Sequence, residues 1–230
     1  MGIGGITSKR LRAAALAAFA GLALAACGSS SGNGIGSSSA TAILAAASKA
    51  LSTVHSVRIN GTTKSSGTSV GLDLSVVAGK GATGTLILRG RSVQIISVAG
   101  KLYMNGNSAF WQRLGNSTAA SLFAGKWIES PTGVSSFGKL FDLHSLLGSA
   151  LQQAKLDKSL QKGATTTIDG QSVIAVTDPR KSATLYVATS GPAYPLELLK
   201  KGTSSGRIVF SDYNQPVTLK APAHVTPITG

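Results

Sequence analysis

Residues 69–104 read SVGLDLSVVAGKGATGTLILRGRSVQIISVAGKLYM, and their pattern decides the fold class. Val70, Leu72, Leu74 and Val76 alternate with Ser69, Gly71, Asp73 and Ser75. A period of two puts one apolar face on an extended strand. Thr83, Thr85, Ile87 and Arg89 then alternate with Ala82, Gly84, Leu86 and Leu88, and residues 93–98 and 101–104 read as two further strands. Gly79-Lys80-Gly81, Gly90 and Ala99-Gly100 separate the runs. Connections this short require antiparallel pairing, because parallel strands need long crossovers.

The pattern extends in both directions. Upstream, Val57 and Ile59 alternate with Arg58 and Asn60, and Ser66-Gly67 supplies the next turn. Before them, residues 41–54 place Ile43, Leu44, Ala47, Ala50, Leu51 and Val54 on one helix face, which predicts a helix lying on the sheet. Downstream, residues 107–125 change to aromatic and Ser/Ala-rich sequence, expected as short helices or a loop. Pro131 favours a break, and residues 137–153 carry Leu140, Phe141, His144, Leu147 and Leu151 at helix spacing. Residues 164–168 and 171–176 flank Asp169-Gly170, a tight-hairpin signal. Residues 182–189, 195–199, 207–210 and 217–220 complete the expected strands. The order is a helix, about five strands, a helical insert and about five strands. That is an α+β architecture, one curved antiparallel sheet with a helical layer on one side.

The chain opens differently. Lys9, Arg10 and Arg12 precede an uncharged run at 13–26 made of Ala, Leu, Phe and Gly. A run of that length suits an export signal and falls short of the roughly 20 residues of a spanning helix. It ends in Leu24-Ala25-Ala26-Cys27-Gly28, which resembles the lipobox of bacterial lipoproteins. The resemblance implies cleavage between Ala26 and Cys27 and a diacylglyceryl group on the Cys27 sulfur. Cys27 is the only cysteine, so no internal disulfide forms. Residues 28–39, GSSSGNGIGSSS, bury too little apolar area to order themselves and read as a flexible tether. The expected organisation is a signal peptide at 1–26, the lipidated cysteine and tether at 27–39, and one domain at 40–230. The place is then the cell membrane, lipid-anchored on its extracytoplasmic face.

The lipobox, the tether and the helix before an antiparallel meander occur together with Gly100-Lys101-Leu102-Tyr103, the Asp169-Gly170 hairpin and the ending Phe210-Ser211-Asp212-Tyr213-Asn214-Gln215-Pro216-Val217. Together they resemble the LolA-like lipoproteins, in particular the LppX/LprG-type lipoproteins of mycobacteria and their relatives. The similarity covers most of the mature chain as pattern and order. It implies a half-barrel sheet wrapped over helices with an apolar cavity between them, and carriage of lipids or lipid-linked glycans across the envelope. Candidate cavity-lining residues are Leu72, Leu74, Val76, Leu86, Leu88 and Met104 on the strands. Trp111, Phe123, Trp127, Phe137, Leu140, Phe141 and His144 join them from the insert. Ordinary core between helices and sheet is the competing reading of these side chains.

Catalytic raw material is thin. His55, His144 and His224 form no metal-binding pattern, and the eight acids form no close pair suited to acid–base work. Gly28-Ser29-Ser30-Ser31-Gly32 fits a nucleophile elbow but lies in the tether. Gly79 to Gly84 fits a dinucleotide fingerprint but leads into a strand. No enzyme activity, metal or cofactor is expected. The formal charge is +14, and without Lys9, Arg10 and Arg12 it is +11. That excess reads as a solvated surface or as attraction to anionic lipid head groups. No basic stripe interleaved with aromatics suggests nucleic acid. The expected function is a membrane-anchored, monomeric lipoprotein holding a lipid, glycolipid or other apolar ligand between sheet and helices. The alternative is a surface lipoprotein with a filled core, acting as a structural or protein-interaction module.

Overall fold

The computed structural model describes residues 32–65, 67–130 and 159–228. The signal peptide expected at 1–26, Cys27, Phe137, Leu140, Phe141, His144 and the helix expected at 137–153 lie outside the described residues. In chain order the elements are α1 (Ala40–Leu51), β1 (Ser56–Ser65), β2 (Thr68–Val77), β3 (Gly81–Leu88), β4 (Arg91–Val98) and β5 (Lys101–Gly106). Next come α2 (Ser108–Leu114), α3 (Ser117–Phe123) and β6 (Ile128–Glu129). The last strands are β7 (Gln161–Ile168), β8 (Gln171–Asp178), β9 (Ala183–Ala188), β10 (Pro195–Lys200) and β11 (Ser205–Ser211).

These strands form one curved sheet in the order β6-β5-β4-β3-β2-β1-β11-β10-β9-β8-β7. Each half is a meander of sequence neighbours. The halves join where β1 pairs antiparallel with β11, Ile59 opposite Phe210 and Gly61 opposite Ile208. The two-residue turns explain the local registers. Arg89-Gly90, Ala99-Gly100 and Asp169-Gly170 all have positive φ at both positions, the conformation that matches the twist of paired strands.

The period-two pattern becomes a two-faced sheet. Val57, Ile59, Leu74, Val76, Ala82, Leu86, Val93 and Ile95 are buried on the concave face. Their partners in the alternation, such as Arg58, Asp73 and Gln94, lie on the convex face. There Arg58 donates to both carboxylate oxygens of Asp73, each at 2.8 Å. Helix α1 begins at Ser39, whose hydroxyl accepts from the Ala42 N–H, and it sets Ile43, Leu44, Ala47 and Leu51 into the core. Val54, three residues past the end of α1, donates its N–H to the Leu51 carbonyl and is buried as well, so the expected apolar stripe survives the earlier helix end. The insert holds two short helices, each capped by an asparagine: Asn107 accepts from Phe110 N–H and Asn116 from Ala119 N–H. No described helix is long and apolar enough to cross a membrane.

Two sequence expectations are corrected. Part of the supposed tether is packed. Gly32 bridges Ser190, Asn33 N–H donates to Thr189, and the Asn33 side-chain amide donates to the carbonyls of Ala188 and Gly191. A short 3-10 turn at Ile35–Ser37 buries Ile35. Asn33 and Ile35 are the only residues of that stretch other than Gly and Ser, and both find partners in the later strands. The second correction concerns residues 217–220, which form no strand. Both edges of β11 are already occupied, by β1 and β10, so no adjacent ladder is open to the chain. Instead the tail runs on to Thr226, which bridges Ile128.

The tail is pinned by Tyr213, whose ring stacks on Tyr194 at 4.2 Å and whose hydroxyl donates to the Pro195 carbonyl. Burial pushes its phenol far above the ordinary tyrosine range. Tyr213→Phe keeps the stack and orphans that carbonyl. The expected cost is about 1–2 kcal/mol, or a fall in Tm of roughly 3–6 °C, read by thermal denaturation.

Candidate ligand-binding site

Beyond the buried zone, the concave face opens toward one end of the strands. There Thr63, Leu198, Gly206 and Ile208 share a face across β1, β11 and β10. With Lys64, Lys200, Ser204 and Ser205 they line a groove of about 290 Å³ that is open to solvent. Leu198 and Ile208 make an apolar floor. Their inner sides pack on the core and their outer sides face the groove. Gly61 and Gly206 add no side chains to this part of the face, which leaves room above it. At Gly61 a Cβ would lie only 2.0 Å from the Arg207 carbonyl oxygen.

The rim is cationic. Lys64 and Lys200 are exposed, and among the described residues neither has a carboxylate partner. Glu197, next in chain to Leu198, points to the opposite face. It is buried there and accepts from Arg207 at 2.7 Å, so its charge is engaged away from the groove. The hydrogen bond to Glu197 holds the Arg207 guanidinium above its ordinary range.

Two solved structures share this architecture. LprF from Mycobacterium bovis superposes with a TM-score of 0.59 at 19% identity, covering 80% of this chain and 97% of LprF. The lipoprotein LppX from Mycobacterium tuberculosis superposes with a TM-score of 0.51 at 18% identity, covering 79% of this chain and 98% of LppX. The chain has the LolA-like fold of the LppX type. No family profile and no curated protein matches it by sequence. At this identity the shared feature is the LolA-like backbone, and the side chains of the groove are this chain's own.

Within the LolA-like sheet the candidate cavity residues separate. Leu74, Val76 and Leu86 are buried in the core of the concave face. Trp111 is also buried, edge-on to Phe110 and Phe123 at 5.0 and 5.7 Å. Its indole N–H has no acceptor among the described residues. Leu72, Leu88, Met104 and Phe123 are half-buried against the core, and Trp127 is half-buried before β6. None of these nine lines the described groove. The groove residues were invisible to sequence reading because β1 meets β11 across some 150 positions. The available signal was the pairing of apolar and cationic residues at a strand end, Leu198 with Lys200 two positions apart. His55 and His224 are exposed, and no three potential metal ligands come together among the described residues.

Proposed function

We propose that this chain is a membrane-anchored extracytoplasmic lipoprotein that binds or carries a lipid or other hydrophobic ligand between its sheet and helices. The observation that supports the ligand is the open apolar floor at Leu198 and Ile208 on the concave face of a LolA-like sheet, a groove lined among the described residues by β1, β10, β11 and the β10–β11 turn rather than by a helix. Apolar surface of this kind gains roughly 25 cal/mol for each Å² covered, which a hydrocarbon chain supplies without competing polar groups. The lipobox-like run ending at Cys27 and the apolar segment before it support an extracytoplasmic domain held at the membrane by lipid. The domain acts as a monomer, without a metal, cofactor or nucleic acid partner.

Purification without detergent, followed by solvent extraction and lipid mass spectrometry, tests the ligand. A stoichiometric acyl lipid is expected; an empty protein refutes the reading. The anchor is tested separately. Cys27→Ala is expected to move the chain from the membrane fraction to the soluble fraction and to remove the lipid mass from the N-terminal peptide. Unchanged partitioning would refute it. A surface lipoprotein with a filled core is the second reading, and the tight burial of Leu74, Val76, Leu86 and Trp111 favours it.

A further inference from the structure

The groove lies at the end of the sheet where the β1–β2, β3–β4, β8–β9 and β10–β11 turns gather. Those strand ends and turns carry Lys64, Arg89, Arg91, Lys181, Lys200 and Lys201. The acid described there is Asp178, which is buried, accepts from the N–H groups of Arg180 and Lys181, and lies 3.6 Å from the Lys181 ammonium. Asp169 and Asp212 sit at the opposite ends of their strands. The excess positive charge of this chain is therefore concentrated, among the described residues, at the end where the apolar floor opens. A field of one sign over an apolar cleft attracts a ligand that is itself divided into an anionic end and an apolar end.

We infer that the groove takes an amphiphile with one acyl chain and an anionic head, its carboxylate or phosphate held by Lys64 and Lys200 and its chain lying on Leu198 and Ile208. The volume of about 290 Å³ is at the bottom of the roughly 300–1,000 Å³ spanned by small-molecule sites, so it suits one chain rather than several. Ser204 and Ser205 at the same rim offer hydroxyls to the remaining head-group oxygens. Lysine suits such a head because its ammonium is a compact point charge on a flexible stem, tolerant of different anion shapes. This inference rests on the lipid-binding reading and narrows it to a charge class.

The test titrates the full chain with the fluorescent fatty acid parinarate and with its uncharged methyl ester. Parinarate is expected to bind about tenfold more tightly than the ester, as for charge-assisted hydrogen bonds in a partly exposed site. Lys64→Gln/Lys200→Gln is expected to remove that preference while leaving ester binding unchanged. Lys49→Gln/Lys80→Gln, which removes the same charge away from the groove, is expected to retain the preference. Equal binding of acid and ester by the parent chain overturns the anionic-head assignment and leaves lipid binding standing. So does a preference that survives the Lys64/Lys200 variant. Failure of both probes to bind overturns the assignment and counts against lipid binding as well. Displacement of parinarate by inorganic phosphate alone would mark the lysines as a bare anion site and overturn the acyl-chain assignment.

Discussion

Gly61→Ala is expected to destabilise the protein by about 3 kcal/mol or more, close to the upper end for a single backbone strain. Gly61 has φ of 153°, a conformation open to glycine and costly to residues with a Cβ. A Cβ there would also stand 2.0 Å from the Arg207 carbonyl oxygen and 2.9 Å from the Ile208 Cα. Both atoms are backbone, so no side-chain rotation relieves the contact. The strand that must move is β11, and the β1–β11 ladder is what joins the two meanders into one sheet. For a domain of this size the expected fall in Tm is roughly 6–12 °C. Gly36→Ala is the control: a Cβ there meets nothing within 4 Å and its φ is not positive. Its effect should stay within about 0.5 kcal/mol. A Gly61→Ala protein as stable as Gly36→Ala would mean that the seam is not under this constraint.

Ile43→Ala is expected to cost about 3 kcal/mol, within the range of roughly 2–5 kcal/mol for large-to-small changes in a closed core. Ile43 is 0% exposed, among the largest fully buried side chains. Its neighbours one turn away on the same helix face, Ala40 and Ala47, are small, so neither reaches into the space that the lost side chain leaves. The gain in helix propensity from alanine is only about 0.4 kcal/mol and does not offset the lost packing. Urea denaturation reads the change. Ala45→Ser on the exposed side of the helix should shift the midpoint little. A midpoint for Ile43→Ala near that of Ala45→Ser would show that α1 is not a keystone of the concave face.

Much of the fold is local chemistry. The alternation over residues 70–76 yields β2 with Leu74 and Val76 inside, and Asp169-Gly170 yields a hairpin because both positions accept positive φ. The stripe of Ile43, Leu44, Ala47 and Leu51 yields a buried helix face. Composition misled where one or two side chains outweighed their neighbours. Asn33 and Ile35 tie down a Gly/Ser stretch, since a single amide answering two carbonyls and one buried isoleucine are enough to order a short segment. Composition also misled at residues 217–220, where a strand-like pattern follows a strand, β11, whose two edges are already paired.

The proposed site divides along the same line. The lipobox-like run ending at Cys27 is a linear motif, readable because its residues are contiguous in the chain. Its groove is not linear. Thr63 and Ile208 become neighbours only after β1 and β11 pair, and that pairing answers to which edges two finished meanders leave unsatisfied. Strand identity and turn type come from interactions within a few residues. The seam, the open floor beside it and the cations gathered at its end come from contacts across some 150 residues, where chain entropy and edge satisfaction act on the whole sheet at once.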